Sequence, residues 1–420
     1  MKDFQVDTSM CVHCGLCLPS CPTYQVTGSE SESPRGRVVL LDAVREALSS
    51  GRTPDPTAWG ALDHCLDCRA CEAVCPAHVP VGHAVEELRG LVPGRPSLLL
   101  NAAALGSPSG VRRFRRWVRV ATRPGVRRIL RAGTSLPAPW GPMLSLAGGA
   151  PTSQSAPSQE ACRESGEGSG VTVRFFWGCV MEGLYARTNR RSAELLRRLG
   201  YVVQMEDAPL CCGALARHQG DPEGARRWAR SIIARFEESG AAFFVTNAAG
   251  CGAAFKEYGA WFREDPEWAE RARAFAGRVR DLLELVDLKR LPVPRRTAPD
   301  PVTVHDACHL VHAQGIRDPV RAILRRVGIP VVEMVEADLC CGSAGIYNLS
   351  HPEMARALRD RKVGGIPPGV TRVVTSNPGC LLQIQSGLRE RGLLVDAVHW
   401  VDVVYDALWS GKGEDRAALG

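Results

Sequence analysis

Two short stretches of the sequence place four cysteines and a proline in the same order. They read "CVHCGLCLPSCP" at 11–22 and "CLDCRACEAVCP" at 65–76, so each follows the pattern C-x2-C-x2-C-x3-C-P. Thiolates two residues apart can reach three corners of a cubane [4Fe–4S] cluster from one tight turn. The spacing therefore predicts two iron–sulfur clusters, whose ligands would be Cys11, Cys14, Cys17, Cys21, Cys65, Cys68, Cys71 and Cys75.

The last cysteine of each run is expected to bind the cluster of the other run, as in two-cluster bacterial ferredoxins. One cluster would then be held by Cys11, Cys14, Cys17 and Cys75, and the other by Cys65, Cys68, Cys71 and Cys21. Two structural zinc sites are the alternative, because zinc also binds four thiolates. Zinc sites, however, usually pair two C-x2-C knuckles that lie far apart in the sequence.

Eight further cysteines form two sets with identical spacing. In both sets 31 residues precede an adjacent pair and 38 separate that pair from the last cysteine, so the second set repeats the first after 129 positions. This indicates an internal duplication. We predict a cluster or a zinc ion in at least one set, the alternative being buried thiols without a metal. The sets are Cys179, Cys211, Cys212 and Cys251, and Cys308, Cys340, Cys341 and Cys380; Cys162 matches neither and has no assigned role.

Strand and helix patterns alternate in the same order in both copies. Strand-like runs end near the first cysteine ("VTVRFFWGC", "VTVHDAC") and near the last ("AAFFVTNAAGC", "VTRVVTSNPGC"). Helical patterns separate these runs, a further apolar run ("YVVQMEDAPL", "IPVVEMVEADL") precedes each CCG, and a capped helix is expected after it. The alternation predicts parallel α/β sheets with the cysteines at the strand ends, where such sheets bind ligands.

Single residues near these cysteines have two interpretations. Gly213 and Gly342 are expected to permit a close approach of backbone. His218, His305 and His309 are either extra ligands or partners of ligands, or ordinary polar residues at loop ends that are satisfied by hydrogen bonds.

The length of 420 residues predicts two or three domains. Between the first two runs, Ser33 and Pro34 predict the start of a helix whose apolar side contains Val38, Leu41, Ala43 and Leu48. The N-terminal domain is therefore expected to be a mainly helical ferredoxin-type module. The predicted divisions are this module at 1–93, a linker at 94–170, and two α/β cysteine-rich (CCG) domains at 171–290 and 300–410.

The chain resembles the iron–sulfur subunits of bacterial glycolate oxidase, also called glycolate dehydrogenase. The segments that carry the resemblance are "CVHCGLCLPSCPTY", "SPRGRVVLL", "CLDCRACEAVCP", "CCGALARHQGD", "NAAGCG", "HDACHL", "CCGSAGIYNL" and "NPGCLLQI". The resemblance implies an electron-transfer subunit of a membrane-associated complex that oxidises glycolate to glyoxylate. It also implies FAD on a partner subunit, a quinone-type acceptor and no catalytic residue on this chain.

Other readings of the same segments stay open. The equivalent subunit of a D-lactate, lactate-utilisation, glycerol-3-phosphate or heterodisulfide-reductase-like system is one alternative, and a zinc-stabilised assembly scaffold is another. The related heterodisulfide reductase domain ends in C-x2-C, whereas Ala248 and Asn377 stand at the first of those positions here, which favours an electron carrier. No G-x-G-x-x-G follows a strand pattern, so the sequence offers no flavin or dinucleotide site.

The predicted linker carries the positive charge of the chain. Residues 94–170 contain eleven arginines, no lysine and three glutamates, and nine of those arginines lie at 111–131. Phe114, Trp117, Val118 and Ala121 follow helical spacing, so this stretch is expected to contact an anionic membrane surface or to dock on protein. No nucleic-acid-binding module is recognisable.

The N-terminal residues show no signal peptide, and no apolar run is long enough to span a bilayer. We therefore expect a cytoplasmic protein, peripheral on the inner face of the cell membrane.

Overall fold

The computed structural model describes residues 6–91, 110, 116, 170–206, 210–292 and 300–409. The predicted linker therefore lies almost entirely outside the described residues, together with Cys162 and nearly all of the stretch 111–131. The described residues form a helical N-terminal region and two parallel sheets flanked by helices. None of the helices in these ranges is both long enough and apolar enough to cross a bilayer.

The N-terminal region consists of short helices that pack around Leu41, Leu62 and Leu88. The helix after the first cysteine run starts as predicted, because Pro34 is its first residue and Ser33 Oγ accepts a hydrogen bond from the backbone N–H of Gly36. Ala43 is exposed, so its assignment to the apolar side was wrong. Val44 is buried instead, since it lies three residues after Leu41 on the same face. The helices are α1 (Pro22–Thr27), α2 (Pro34–Ser49), α3 (Pro56–Asp63), α4 (Ala70–Ala73) and α5 (Val81–Arg89).

The first cysteine-rich repeat contains a four-stranded parallel sheet in the order β2-β1-β3-β4. Its central strands β1 and β3 pair in register from Val173 with Phe243 to Phe176 with Thr246. The strands are β1 (Thr172–Phe176), β2 (Val202–Met205), β3 (Phe243–Thr246) and β4 (Val279–Asp281). The helices are α6 (Cys179–Leu184), α7 (Ala186–Arg198), α8 (Ala214–His218), α9 (Pro222–Ser239), α10 (Ala249–Lys256), α11 (Tyr258–Trp261) and α12 (Ala269–Arg278).

The second repeat contains a three-stranded parallel sheet in the order β5-β6-β7. A π-helical turn, His309–Ala313, follows its first cysteine. The strands are β5 (Val302–Val304), β6 (Arg372–Thr375) and β7 (Asp396–His399). The helices are α13 (Pro319–Arg326), α14 (Tyr347–Ser350), α15 (Pro352–Gly364), α16 (Pro378–Glu390) and α17 (Trp400–Trp409).

The parallel α/β organisation confirms the predicted fold class, and the two repeats differ in detail. The apolar run before the second CCG forms only an isolated bridge between Val302 and Val331, in place of the expected strand. Pro330 precedes the bridge and has no N–H to extend the ladder. The helix after this CCG also lacks the expected side-chain cap, because its N-cap residue is His351, whereas Asp221 caps α9 by accepting from the N–H of Gly224. The short strands β4 and β7 were not predicted.

The two repeats share one buried core. Phe175 and Val245 of the first sheet belong to the same apolar cluster as Val304 and Val374 of the second. Helices α7 and α17 add a polar contact, because Arg191 binds the carboxylates of Asp402 and Asp406 at 2.9 and 2.6 Å. The duplicated halves therefore position their cysteines relative to each other.

Candidate metal centres

The two cysteine runs of the N-terminal region have the same backbone form. His13 and Gly15 in the first run, and Asp67 and Arg69 in the second, stand at equivalent positions, and all four have φ between 53° and 83°. Left-handed residues between cysteines curl a loop so that its amide groups and side chains face a common centre. This strain on three residues other than glycine is the form expected for a loop that wraps a cluster.

The crossed arrangement of cysteines has support in a cavity beside the second run. The cavity contains Cys21 of the first run together with Cys65, Cys68 and Cys71 of the second. Burial raises the pKa of Cys68 and of Cys71 well above the ordinary value, so metal binding there must displace thiol protons. Four converging thiols fit a [4Fe–4S] cluster, although their ligation remains a prediction.

A buried arginine supports this cavity. Arg37 Nη1 lies 3.7 Å from Cys21 Sγ, and its Nη2 binds the Glu32 carboxylate at 2.7 Å. Arg37 Nε also donates to the carbonyl oxygen of Ala61. The guanidinium thus provides a positive charge and an N–H group to a predicted cluster ligand, and such groups tune a cluster's reduction potential.

The first run lies nearer the surface. Cys11 and Cys75 pack against the same buried group of Val38, Val79 and Val81, consistent with their assignment to one cluster. Cys14 is exposed. Around it, Met10, Val12 and Leu16 present 64%, 80% and 60% of their surface to solvent, which leaves an apolar surface at this loop.

The four thiols of the first repeat meet where its strands end. Cys179 begins α6, the pair Cys211 and Cys212 precedes α8, and Cys251 lies in α10. The thiols form a chain of hydrogen bonds that follows their order in the sequence. The bond to Cys211, together with burial, raises the pKa of Cys179 well above its ordinary value. The surroundings are aromatic, since Trp228 packs beside Cys179 and Cys211.

The second repeat brings its four thiols together in the same way. Cys308, Cys340, Cys341 and Cys380 are buried and form an equivalent chain of hydrogen bonds. Asn377 Nδ2 donates to Cys380 Sγ at 3.6 Å. Beside these thiols lies His305, whose pKa is held well below its ordinary value by burial and by the Lys362 ammonium group, so its imidazole is neutral.

The glycine after each cysteine pair allows the predicted close contact. Gly213 and Gly342 have φ of +82° and +83°. A Cβ at Gly213 would lie 2.9 Å from the carbonyl oxygen of Ala225, and one at Gly342 would lie 2.6 Å from that of Ala355. Both pairs of cysteines are therefore held against the following helix by direct backbone contact.

The second cysteine run packs directly on the second repeat. Cys68 belongs to one buried apolar cluster with Cys308 and Cys340, and Leu66 and Leu358 complete the contact. The predicted N-terminal centre and the cysteine-rich centre are thus adjacent.

A buried ionic network joins the N-terminal region to the first repeat. Arg69, whose side chain is 2% exposed, pairs with Asp67, Glu72, Glu86 and Glu257. Imidazoles balance the remaining carboxylates: His83 contacts Glu72 and Glu257, and His218 contacts Asp67 and Glu86. Sequence reasoning did not find these residues, because ion pairs between distant segments leave no local spacing pattern.

The three histidines near the cysteines therefore have different roles. Burial disfavours a charged His218, yet its hydrogen bonds to Asp67 and Glu86 raise its pKa to about 10, so it serves as a cation at the interface. His309 Nδ1 lies 3.8 Å from Cys308 Sγ, and its ring lies 5.8 Å from that of His218. Only His305, of the three, has a buried ring nitrogen without a hydrogen-bond partner.

Family models match both parts of this architecture. The 4Fe–4S dicluster domain matches residues 7–79, and the cysteine-rich domain matches residues 173–256 and 302–385. The first match covers both N-terminal cysteine runs. Each cysteine-rich match contains all four cysteines of its repeat.

Similar proteins extend over almost the whole chain. The chain is 34% identical over 418 residues to the "Probable glycolate oxidase iron-sulfur subunit" of Bacillus subtilis (strain 168), covering 94% of this chain and 93% of the relative. It is 33% identical over 402 residues to the "Glycolate oxidase iron-sulfur subunit" of Escherichia coli (strain K12), with 95% and 93% covered. "Lactate utilization protein A" of Bacillus cereus (strain B4264) is 27% identical over 237 residues, which cover 56% of this chain and 98% of that protein.

Proposed function

Because this chain belongs to the family of glycolate oxidase iron–sulfur subunits, we propose that it carries electrons in a flavin-dependent complex that oxidises glycolate to glyoxylate. In this proposal the hydride of glycolate is taken by FAD on a partner subunit. The chain contributes to the oxidoreductase as an electron carrier and provides no catalytic residue. The lactate-utilisation relative is less similar and covers little more than half of the chain, so glycolate is the preferred substrate.

The observation that carries the proposal is the continuous series of thiol sites across the protein. It begins at the exposed Cys14, continues through the buried cavity of Cys21 and Cys68, and reaches Cys308 by direct packing. [4Fe–4S] clusters, when bound, accept and release single electrons. Leu66, Tyr347 and Leu358 surround the contact between Cys68 and Cys308 and keep water away from it.

The apolar surface at Met10, Val12 and Leu16 is the proposed docking site of the flavin subunit. Clustered exposed apolar side chains commonly mark protein interfaces. Here they surround Cys14, so a partner seated on them would approach the first predicted cluster closely. Docking there would place the flavin at the outer end of the series of thiol sites.

A quinone-type acceptor and a peripheral position on the inner membrane face complete the proposal. They rest on the sequence of residues 111–131, whose nine arginines would be attracted to anionic lipid. Co-sedimentation with anionic liposomes tests this part. Replacing Arg112, Arg113, Arg115 and Arg116 by glutamate should reduce binding, and undiminished binding would contradict it.

The electron-carrier role is tested by purifying the complex anaerobically with its flavin subunit. Iron and sulfide analysis should give about eight irons per chain for two cubanes, and glycolate should produce the EPR signal of reduced clusters. Reduction by D-lactate but not by glycolate would support the alternative substrate. Zinc without sulfide would support the scaffold instead.

The docking surface has its own test within the same complex. Val12→Glu with Leu16→Glu should weaken association with the flavin subunit and slow glycolate-dependent reduction, while dithionite still reduces the clusters. Leu394→Glu is the matched control, because Leu394 is a 99% exposed leucine in the second repeat. Equal association of both variants with the flavin subunit would contradict the assignment.

A further inference from the structure

The second cysteine-rich repeat has a nitrogen donor beside its thiols. A ring nitrogen of His305 and the sulfur atoms of Cys341 and Cys380 lie within 4.8 Å of one another, and all three residues are buried. In the described part of the first repeat, no three histidine, cysteine or carboxylate donors lie as close together. The two duplicated sites are therefore chemically different.

The hydrogen bonds of His305 define which nitrogen is available. Nδ1 lies 3.1 Å from the carbonyl oxygen of Ala337, which can only accept, so Nδ1 carries the proton. Nε2 then keeps its lone pair. It is buried and has no hydrogen-bond partner, although His305 is only 1% exposed. Metal-binding histidines commonly have this arrangement, with the other ring nitrogen donating to a backbone carbonyl.

The carbonyl that orients His305 is itself held in place. Ala337 O also accepts from the backbone N–H of Asp306 at 2.9 Å and from Lys362 Nζ at 3.3 Å. Lys362 is 1% exposed, so the protein buries a cation next to this site. A buried ammonium group is costly unless nearby negative charge balances it, and metal-bound thiolates would provide that charge.

The first repeat has apolar residues at the corresponding positions. Phe176 precedes Cys179 by three residues, as His305 precedes Cys308. Its ring is buried against Phe244 and Phe255, with ring centroids 5.8 and 4.8 Å apart. Counted from the alanines that contact the CCG glycines, Ala225 and Ala355, the position of Lys362 in the first repeat is occupied by Ile232. Histidine and lysine therefore appear together in only one of the two copies.

We propose that His305 binds, through Nε2, the same metal centre as Cys341 and Cys380, so that the second repeat holds a mixed sulfur–nitrogen site. Iron–sulfur centres and zinc ions both accept thiolate and imidazole ligands. Cys308 and Cys340 complete the donor set, and each thiol that binds releases its proton. The inference goes beyond the electron-carrier role and does not depend on the substrate of the complex.

The first experiment uses the full-length wild-type protein, purified anaerobically. For an iron centre, pulsed EPR should detect ¹⁴N coupling from a bound imidazole, and labelling with ¹⁵N-histidine should convert it to ¹⁵N coupling. For a zinc centre, X-ray absorption at the zinc edge should show a nitrogen neighbour together with sulfur. Sulfur ligation alone at every metal of the chain would overturn the proposal.

Variants then assign the signal to His305. His305→Phe introduces the residue of the first repeat and should remove the imidazole signal and one centre's metal, without changing the EPR signals of the N-terminal clusters. His305→Cys should restore metal content without the imidazole signal, which a packing role would not do. If His305→Phe does not fold, the wild-type spectra and the cysteine variant still decide.

The matched control is His399→Phe. His399 is also 1% exposed and lies at the end of β7 in the same sheet, but its Nε2 is bonded to the carbonyl oxygen of Asn247 at 2.9 Å. This variant should keep both the metal and the imidazole signal. Unchanged metal content and an unchanged imidazole signal in His305→Phe would overturn the assignment.

Discussion

The hydroxyl group of Tyr347 donates a hydrogen bond to the carbonyl oxygen of His64 at 3.0 Å. Tyr347 belongs to the second cysteine-rich repeat, and His64 directly precedes Cys65 of the second cysteine run. The bond therefore fixes the start of a cluster-binding loop to the domain that carries the neighbouring thiol site. It lies at the edge of the apolar contact between Cys68 and Cys308.

Removing this bond should loosen the contact without dismantling it. Tyr347→Phe is expected to cost about 1 kcal/mol of stability, a typical value for one neutral hydrogen bond. Amide hydrogen exchange of residues 64–68 should become faster. Tyr201→Phe is the control, because it removes a similar bond to Leu285 O within the first repeat and should not affect exchange at 64–68. Identical exchange in wild type and Tyr347→Phe would contradict the prediction.

Loss of a predicted ligand should have different effects in the two classes of site. Cys14→Ser should reduce iron and sulfide content and stop electron flow from the flavin subunit. Cys341→Ser should lower metal content while leaving the EPR signals of the N-terminal clusters, and Cys162→Ser should change neither. Wild-type metal content and turnover in Cys341→Ser would reduce the CCG thiols to a packing role.

Arg37 should influence both stability and reduction potential. Arg37→Met leaves the Glu32 carboxylate in a buried position without its partner, which typically costs about 3–5 kcal/mol. It also removes a positive charge beside Cys21, so the potential of the second cluster should fall in an EPR-monitored redox titration. Arg35→Met is the control, since Arg35 pairs with Glu30 at a more exposed position. An unchanged potential in Arg37→Met would contradict the role given to Arg37.

The close contact at Gly342 can be separated from its backbone conformation. Gly342→Ala should destabilise the second repeat strongly, because its Cβ would lie 2.6 Å from the carbonyl oxygen of Ala355. Gly369→Ala is the matched control, with a φ of +81° but no atom within 4 Å of the added Cβ, and should cost only about 1 kcal/mol. Chemical denaturation measures the difference, and equal destabilisation would show that the contact is unimportant.

The interface cation His218 should make stability depend on pH. Its pKa is about 10 in the folded protein, against an ordinary value of 6.5. The stabilisation is therefore complete below pH 6.5, declines as pH rises and is lost above pH 10, with a slope of at most about 1.4 kcal/mol per pH unit. His218→Gln should be less stable than wild type at pH 6, and the difference should shrink towards pH 10. A difference that stays constant across this range would contradict the prediction.

Local spacing in the sequence was sufficient for much of the fold. Cysteines two or three residues apart must share a loop, so 11–21 and 65–75 each define a cluster-binding run without tertiary information. The repeat of 129 residues likewise required two similar units, and alternating patterns required parallel strands because right-handed crossovers link them. Short strands such as β4 and β7 escaped prediction, since three or four residues carry too little periodicity.

Only the tertiary structure decided how these units combine. The contact of Cys68 with Cys308 joins residues 240 positions apart, and the network of Arg69 collects carboxylates from several segments. The difference between His305 and Phe176 is visible in the sequence, but the buried, unpartnered Nε2 is not. Sequence spacing determines which residues share a turn, whereas burial and hydrogen bonding between distant segments determine which nitrogen has no partner except a metal.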